Sequence, residues 1–300
     1  PEDSVLTGDL SVLKWFTSLG QLSVKIDGSP AIVWGTNPAT GNFFVGTKSV
    51  FNKVKIMINE SHADIDTNHG HIRKVANILH ACFDYLPRTD NIYQGDFIGY
   101  GSDNVFQPNT IAYSFPREID EKIIIAPHTR YTSVGDLRNA VAYSLDYNSF
   151  IVDIANSEDD STCFYYPWVE ITDDLNTLSD KCDYASAISG AVDFTDNGTA
   201  KKIIKSLNSC IASDIELDDL TLMALADHHH VSANLLRLWS LVKTIKHDLM
   251  SHITVIDDVQ CFIKGEEVGH EGYVMSNDYG TFKLIYREVF SNANFNNVRV

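Results

Sequence analysis

The sequence predicts an α+β fold in which antiparallel sheets with flanking helices are interrupted by a helical insertion. Three observations predict it. Short apolar runs that alternate or cluster between turn residues fill the first hundred residues. Helical periodicity dominates from about residue 173 to 255, and strand-like runs then resume. That order gives a core domain of 1–172 and 256–300, split by an acidic helical insertion of 173–255.

Each element follows from its residues. In 8–19, Leu10, Leu13 and Phe16 recur at near-helical spacing, and Gly20 offers a stop. Residues 21–26 alternate, with Leu22, Val24 and Ile26 on one face and Ser23 and Lys25 on the other, as in a half-buried strand. The turn Asp27-Gly28-Ser29-Pro30 leads to AIVWG, and a loop over 36–42 leads to FFVGT. Ile72, Val75, Ile78, Leu79 and Phe83 predict an amphipathic helix over 70–86. Strand character marks 92–98, 122–126 and 163–171. Ile203, Ile204, Leu207 and Ile211 fit one helix, and Leu235 to Leu249 a longer one, before CFIKG, GYVMS and TFKLIY return to strand texture.

Composition narrows the function classes. Apolar residues make up 44% and charged residues 21%, as in ordinary globular proteins. No apolar run nears the roughly 20 residues that span a bilayer. PEDSVLTGDL lacks the features of a signal peptide, so a cytoplasmic or other intracellular location without membrane association is expected. The five cysteines have no CxxC pair and read as reduced thiols. The net charge of −17 argues against a general nucleic-acid coat, but residues 156–230 hold 15 acids against 4 lysines and so account for −11 of it. A basic groove remains open to the rest of the chain.

The most informative local feature is KIDGSP at 25–30, a lysine beside an Asp-Gly turn. Glycine permits positive φ and close approach to a ligand. Asp27 shares the face of Lys25 if the strand continues that far. A lysine amine must lose its proton to attack phosphorus, and neighbouring cations or partial burial favour the neutral amine. Three segments follow in order: YQGDFIGYG at 93–101, HEGYVM at 270–275 and TFKLIYR at 281–287.

Together these four segments resemble the motifs of the covalent nucleotidyltransferases, the ATP-dependent DNA and RNA ligases and mRNA capping enzymes. The resemblance implies an adenylation-domain fold and Lys25 as the nucleophile that takes up a nucleoside monophosphate. It implies that Asp27 and Gly28 bind nucleotide, that Asp96 lies near the ribose, and that Glu271 serves the metal-bound phosphate. Lys283 would contact the α-phosphate. ATP is the implied substrate and Mg²⁺ (or Mn²⁺) the implied cofactor, held through Glu271. The pattern departs from the family at Pro30, where arginine is usual, and at Lys48 in GTKS, where an arginine-bearing strand is usual. It departs again at Ile285, where a second lysine is usual, and Arg287 is the expected substitute on the same face. The implied activity is an ATP-dependent polynucleotide ligase, RNA ligase slightly ahead of DNA ligase, that joins 5′-phosphate and 3′-hydroxyl nucleic-acid ends. Few residues follow the last motif, which fits an RNA-ligase-like organisation without an OB domain or a shortened chain. The alternatives are a capping-type guanylyltransferase and a non-catalytic binding module of the same fold.

The insertion is expected to hold a basic protein partner or shape the substrate groove rather than carry chemistry. Two histidine-rich stretches invite a blander reading. His228, His229 and His230 are adjacent and cannot share a helical face. His62, Asp64, Asp66, His69 and His71 read as a solvated loop with helix-capping residues.

Overall fold

The computed structural model describes residues 1–18, 20–155, 160–171 and 176–288. In chain order its elements begin with helix α1 (Ser11–Thr17), β1 (Gln21–Val24), β2 (Ala31–Thr36), β3 (Phe43–Gly46), α2 (His62–His69) and α3 (Arg73–Tyr85). Then come β4 (Ile92–Tyr100), β5 (Val105–Phe106), β6 (Ala112–Ser114), β7 (Ile123–Thr132), β8 (Val141–Ser144), α4 (Tyr147–Ile154) and β9 (Thr162–Phe164). The remainder is β10 (Trp168–Ile171), α5 (Asn176–Ser189), α6 (Asn197–Ala212), α7 (Asp219–His229), α8 (Ala233–Ser251), β11 (Ile253–Ile256), β12 (Gln260–Ile263), β13 (Glu266–Val268), β14 (Gly272–Asn277) and β15 (Gly280–Ile285). The class is α+β, and among the described residues all strand pairs are antiparallel except β7 with β9.

The chain forms two compact units, and their boundaries differ from those expected of an insertion. One unit takes 1–25, 167–257 and 270–300; the other takes 26–166 and 258–269. In the first, α5 to α8 share one apolar core with Trp15 and Phe16 of α1 and with Met275 and Leu284 of β14 and β15. Helices α5 to α8 therefore do not stand apart as an acidic body. Their exposed faces carry the acid, while Leu235, Leu236, Trp239, Val242 and Ile245 of α8 are fully buried in the common core. The expected boundary at 172/173 lies outside the described residues, as does Leu19 at the end of the predicted first helix.

In this unit β14 is central to a three-stranded sheet, β1-β14-β15. The register sets Ser23 opposite Val274 and Val274 opposite Lys283; the next rows set Val24 opposite Tyr273 and Tyr273 opposite Leu284. Side chains in one row share a face, and successive rows alternate. Leu22, Val24, Tyr273, Met275, Phe282 and Leu284 thus form the face packed on the helical core, where Leu284 is fully buried. Trp15 fastens this packing, because its indole N–H donates to the Gly280 carbonyl at 3.1 Å and its ring meets Phe282 edge-on.

The second unit is built on a sheet ordered β3-β2-β4-β7-β8, with β9 beside β7. One face packs Ile32, Trp34, Tyr93, Phe97 and Ile125 against α3 and against Phe150 of α4. The other face carries Val33 and Ile92 under a smaller cluster with Phe44, Val50 and Leu137. A second sheet, β13-β12-β6-β5, brings 258–269 back to this unit. The strand predicted over 163–171 is two strands, β9 and β10, which belong to different units.

Candidate functional site

Lys25 follows directly on β1, and its backbone N–H donates to the Gly272 carbonyl at 2.8 Å, which extends the β1-β14 pairing by one residue. Its row therefore runs Lys25, Gly272, Ile285, on the face of Ser23, Val274 and Lys283. Gly272 adds no side chain to that row. Its φ of 152° and a Cβ position only 1.9 Å from the Leu284 carbonyl oxygen exclude any other residue. The Lys25 ammonium forms an ion pair with Glu271, and both side chains are largely shielded, at 18% and 13% exposure. The preceding residue is anchored too: His270 Nε2 lies 3.4 Å from Asp257 Oδ2.

Lys283 lies two strands from Lys25 and two residues along, roughly 12 Å between Cα atoms at ordinary strand spacing and rise. Lys283 is exposed, and its side chain makes no hydrogen bond or ion pair among the described residues. The sheet thus presents a face with Lys25, paired with the Glu271 carboxylate, and Lys283, backed by an apolar layer.

Arg287 does not join them. Strand β15 ends at Ile285, so the alternation that would have kept Arg287 on this face has stopped. Its guanidinium instead holds Asp3 at 2.7 and 3.3 Å, Glu2 at 3.2 Å and Asn208 at 3.2 Å. It is a structural residue of the N-terminal cluster.

The second unit places Asp27, Gly28 and Asp96 together. Strand β1 stops at Val24, so Asp27 is not positioned by strand parity. Its carboxylate accepts from Asn109 Nδ2 at 3.1 Å and from the Thr110 N–H at 3.3 Å, and its own N–H donates to the Tyr113 hydroxyl at 2.7 Å. Gly28 is needed for space rather than for positive φ: a Cβ would lie 2.6 Å from Asp96 Cβ and 2.9 Å from the Phe97 carbonyl oxygen. Ser29 and Phe97 complete the contact, with the Ser29 N–H donating to the Phe97 carbonyl at 2.9 Å and the Phe97 N–H to the Pro30 carbonyl at 3.0 Å.

Asp96 occupies the middle of β4, opposite Ala31 and Ala126. His128 Nε2 approaches its carboxylate at 3.7 Å and Gln94 Nε2 at 3.2 Å, while Tyr131 donates to Gln94 Oε1 at 2.7 Å. Strand β7 supplies His128 and Tyr131 to this polar chain, and β4 supplies Gln94 and Asp96. The alternation of Gln94 with Asp96 was the available signal. Lys48 opens a short 3₁₀ turn, Lys48–Phe51, capped by Thr47, whose side chain accepts from the Ser49 N–H. It is exposed and pairs with no described group, so it is not drawn to Asp96.

Other chemistries find little support. Cys82, Cys182 and Cys261 are buried, and burial pushes the Cys182 thiol up to about 12, away from the reactive thiolate. Among the described residues no group of three or more His, Cys, Asp or Glu is arranged to hold a metal ion, so Glu271 would bind Mg²⁺ only with waters and substrate oxygens. No described helix is long and apolar enough to cross a membrane.

Fold and site define an α+β protein with a lysine–carboxylate pair displayed on an antiparallel sheet. The chain belongs to DUF6267, a family of unknown function, whose description matches residues 1–215 and 183–299. Comparison with curated proteins and with solved structures gave no match.

Proposed function

We propose that the protein is a covalent nucleotidyltransferase that uses Lys25 as nucleophile, and that its adduct serves an ATP-dependent polynucleotide ligation. The observation that carries the proposal is the Lys25–Glu271 ion pair, whose lysine stands on the same sheet face as Lys283. The ion pair with Glu271 is a resting arrangement, because an ammonium has no lone pair with which to attack phosphorus. For reaction the ammonium proton passes to Glu271, the acceptor in contact, and from it to water. The Lys25 Nζ–P bond then forms at the α-phosphorus as the bond to pyrophosphate breaks. Lys283 supplies a cation for the phosphate oxygens, of the kind that stabilises charge developing in such a transition state. Mg²⁺, where bound, neutralises phosphate charge and orients the leaving group. Glu271 is the hard oxygen donor that suits it.

The non-catalytic reading has one observation in its favour: with Ile285 apolar and Arg287 engaged elsewhere, the phosphate-contacting set is thinner than the family pattern. Incubation with Mg²⁺ and ATP, followed by intact-mass and peptide mass spectrometry, decides between the two. One AMP added at Lys25 through an acid-labile bond, lost in Lys25→Arg, is the expected result. GTP-only labelling would move the assignment to a capping-type reaction. A folded protein that takes no nucleotide would leave a binding module.

A further inference from the structure

Helices α2 and α3 carry an arrangement unrelated to the nucleotide reading. His62 and Asp66 stand four residues apart on α2, and His80 and Asp84 stand four apart on α3, so each pair lies on one helical face. The helices are linked through 70–72 and run antiparallel, so the pairs meet reciprocally. His62 Nε2 contacts Asp84 at 3.0 Å, and His80 Nε2 contacts Asp66 at 3.1 Å. The two Nδ1 atoms face each other at 2.7 Å, with the ring centroids 5.0 Å apart and the ring planes inclined by 25°, so the imidazoles meet edge to edge. Phe83 supports the His62 ring edge-on at 5.1 Å.

The tautomers follow from the partners. A carboxylate accepts only, so each Nε2 carries the hydrogen that it donates to its aspartate. Each Nδ1 of a neutral ring then holds a lone pair, and two lone pairs 2.7 Å apart repel unless a cation lies between them. A carboxylate on the outer nitrogen of each imidazole is also what metal-binding histidines ordinarily have, because it orients the ring and raises its basicity. Metal–nitrogen bonds of roughly 2.0–2.1 Å at a tetrahedral angle separate two nitrogens by roughly 3.3 Å. Opening the pair by roughly half an ångström reaches that spacing. The imidazoles are 49% and 28% exposed, which leaves room for water ligands.

We infer that His62 and His80 form a two-histidine site for a late divalent transition-metal cation such as Zn²⁺ or Ni²⁺, with Asp84 and Asp66 as the outer carboxylates. Two protein ligands completed by water give weaker binding than a four-ligand structural site. The site is legible only in three dimensions, since the two His–Asp pairs are 18 residues apart and either alone looks like an ordinary solvated helix face.

Isothermal titration of the full chain with Zn²⁺ alone tests it, with the imidazole nitrogens followed by ¹⁵N NMR. One binding event should vanish in His62→Gln and in His80→Gln, irrespective of any contribution from His228 to His230. Asp84→Asn and Asp66→Asn should each weaken that event by about 10- to 100-fold, the usual cost of losing an outer-sphere partner. In the unmodified protein, Zn²⁺ should shift the Nδ1 rather than the Nε2 resonances of His62 and His80. Undiminished stoichiometry in both glutamine variants overturns the site. So does a pair whose Nδ1 signals respond to pH but not to Zn²⁺, because a shared proton then occupies the gap.

Discussion

Gly28 and Gly272 look alike in the sequence, each beside a charged residue of a motif, but they are required for different reasons. Gly272 is held at a φ that side chains rarely adopt, with the neighbouring strand's carbonyl in the way of a Cβ. Gly28 has an ordinary φ and is required because β4 passes directly over it. Motif reading therefore located both positions, but the physical cause at Gly28 depends on a strand almost 70 residues away. Gly28→Ala pushes a methyl into backbone and Asp96 Cβ, and overpacking of this kind typically costs about 1–3 kcal/mol. Urea unfolding should show the loss as a lower midpoint at unchanged slope. An unchanged midpoint would mean that the turn moves off β4 freely, and that Asp27 and Asp96 are not held together by it.

Most of the longer elements were legible as elements because their periodicity is local. The helix predicted over 70–86 is α3, the paired runs 272–276 and 281–286 are β14 and β15, and Leu235 to Leu249 lie in α8. What failed was short or mixed in pattern. The stretch from His62 to His69, read as a loop, is a helix capped by Ser61, whose side chain accepts from the Asp64 N–H while Asp64 accepts from the Ser61 hydroxyl. Few apolar residues there give it a stripe, since Ile65 is the one hydrophobic side chain buried in α2. Strands β5, β6, β8 and β13, of two to four residues, are defined by their partners alone. At the site, alternation placed Arg287 on the face of Ile285, but it overran the end of β15. The sheet argument makes a direct prediction. Lys283→Ala should slow adduct formation by about a hundredfold, in line with removing one electrostatic stabiliser. Ile285→Lys, on the same face in the row of Lys25, should be tolerated or mildly accelerating. Rates from single-turnover labelling check both, and normal labelling in Lys283→Ala would remove this face from phosphate binding.

At the scale of the whole chain, one compact unit is assembled from three separate segments, and a buried charge cluster ties two of them to the third. Glu2 is fully buried; it accepts from Lys246 of α8 at 2.8 Å and faces Arg287 at 3.2 Å. Lys246 also donates to the Ile285 carbonyl at 2.9 Å, which secures the end of β15. Asp3 binds the same guanidinium and accepts from the Trp239 indole at 2.9 Å. Texture and acidity suggested that 173–255 could be cut away, but α8 supplies both the core and one arm of this cluster, so its removal takes the support from β14 and β15. Burial alone would raise the Glu2 carboxyl, but Lys246 and Arg287 outweigh it and hold the group at about 2, below its ordinary value of 4.5. A carboxylate depressed on folding stabilises the native state above its unfolded pKa, and that contribution fades as pH falls towards the folded one. Glu2→Gln leaves Lys246 buried without its anion and Arg287 with Asp3 alone, for which about 3 kcal/mol is the usual scale. The stability gap between wild type and Glu2→Gln should be full at pH 7, begin to close near pH 4.5 and be nearly gone by about pH 2. Urea unfolding of both proteins across that range measures it. Comparing the two cancels the other carboxylates of this acidic chain, so a gap that stays constant with pH would show that Glu2 is not the charged centre of the cluster.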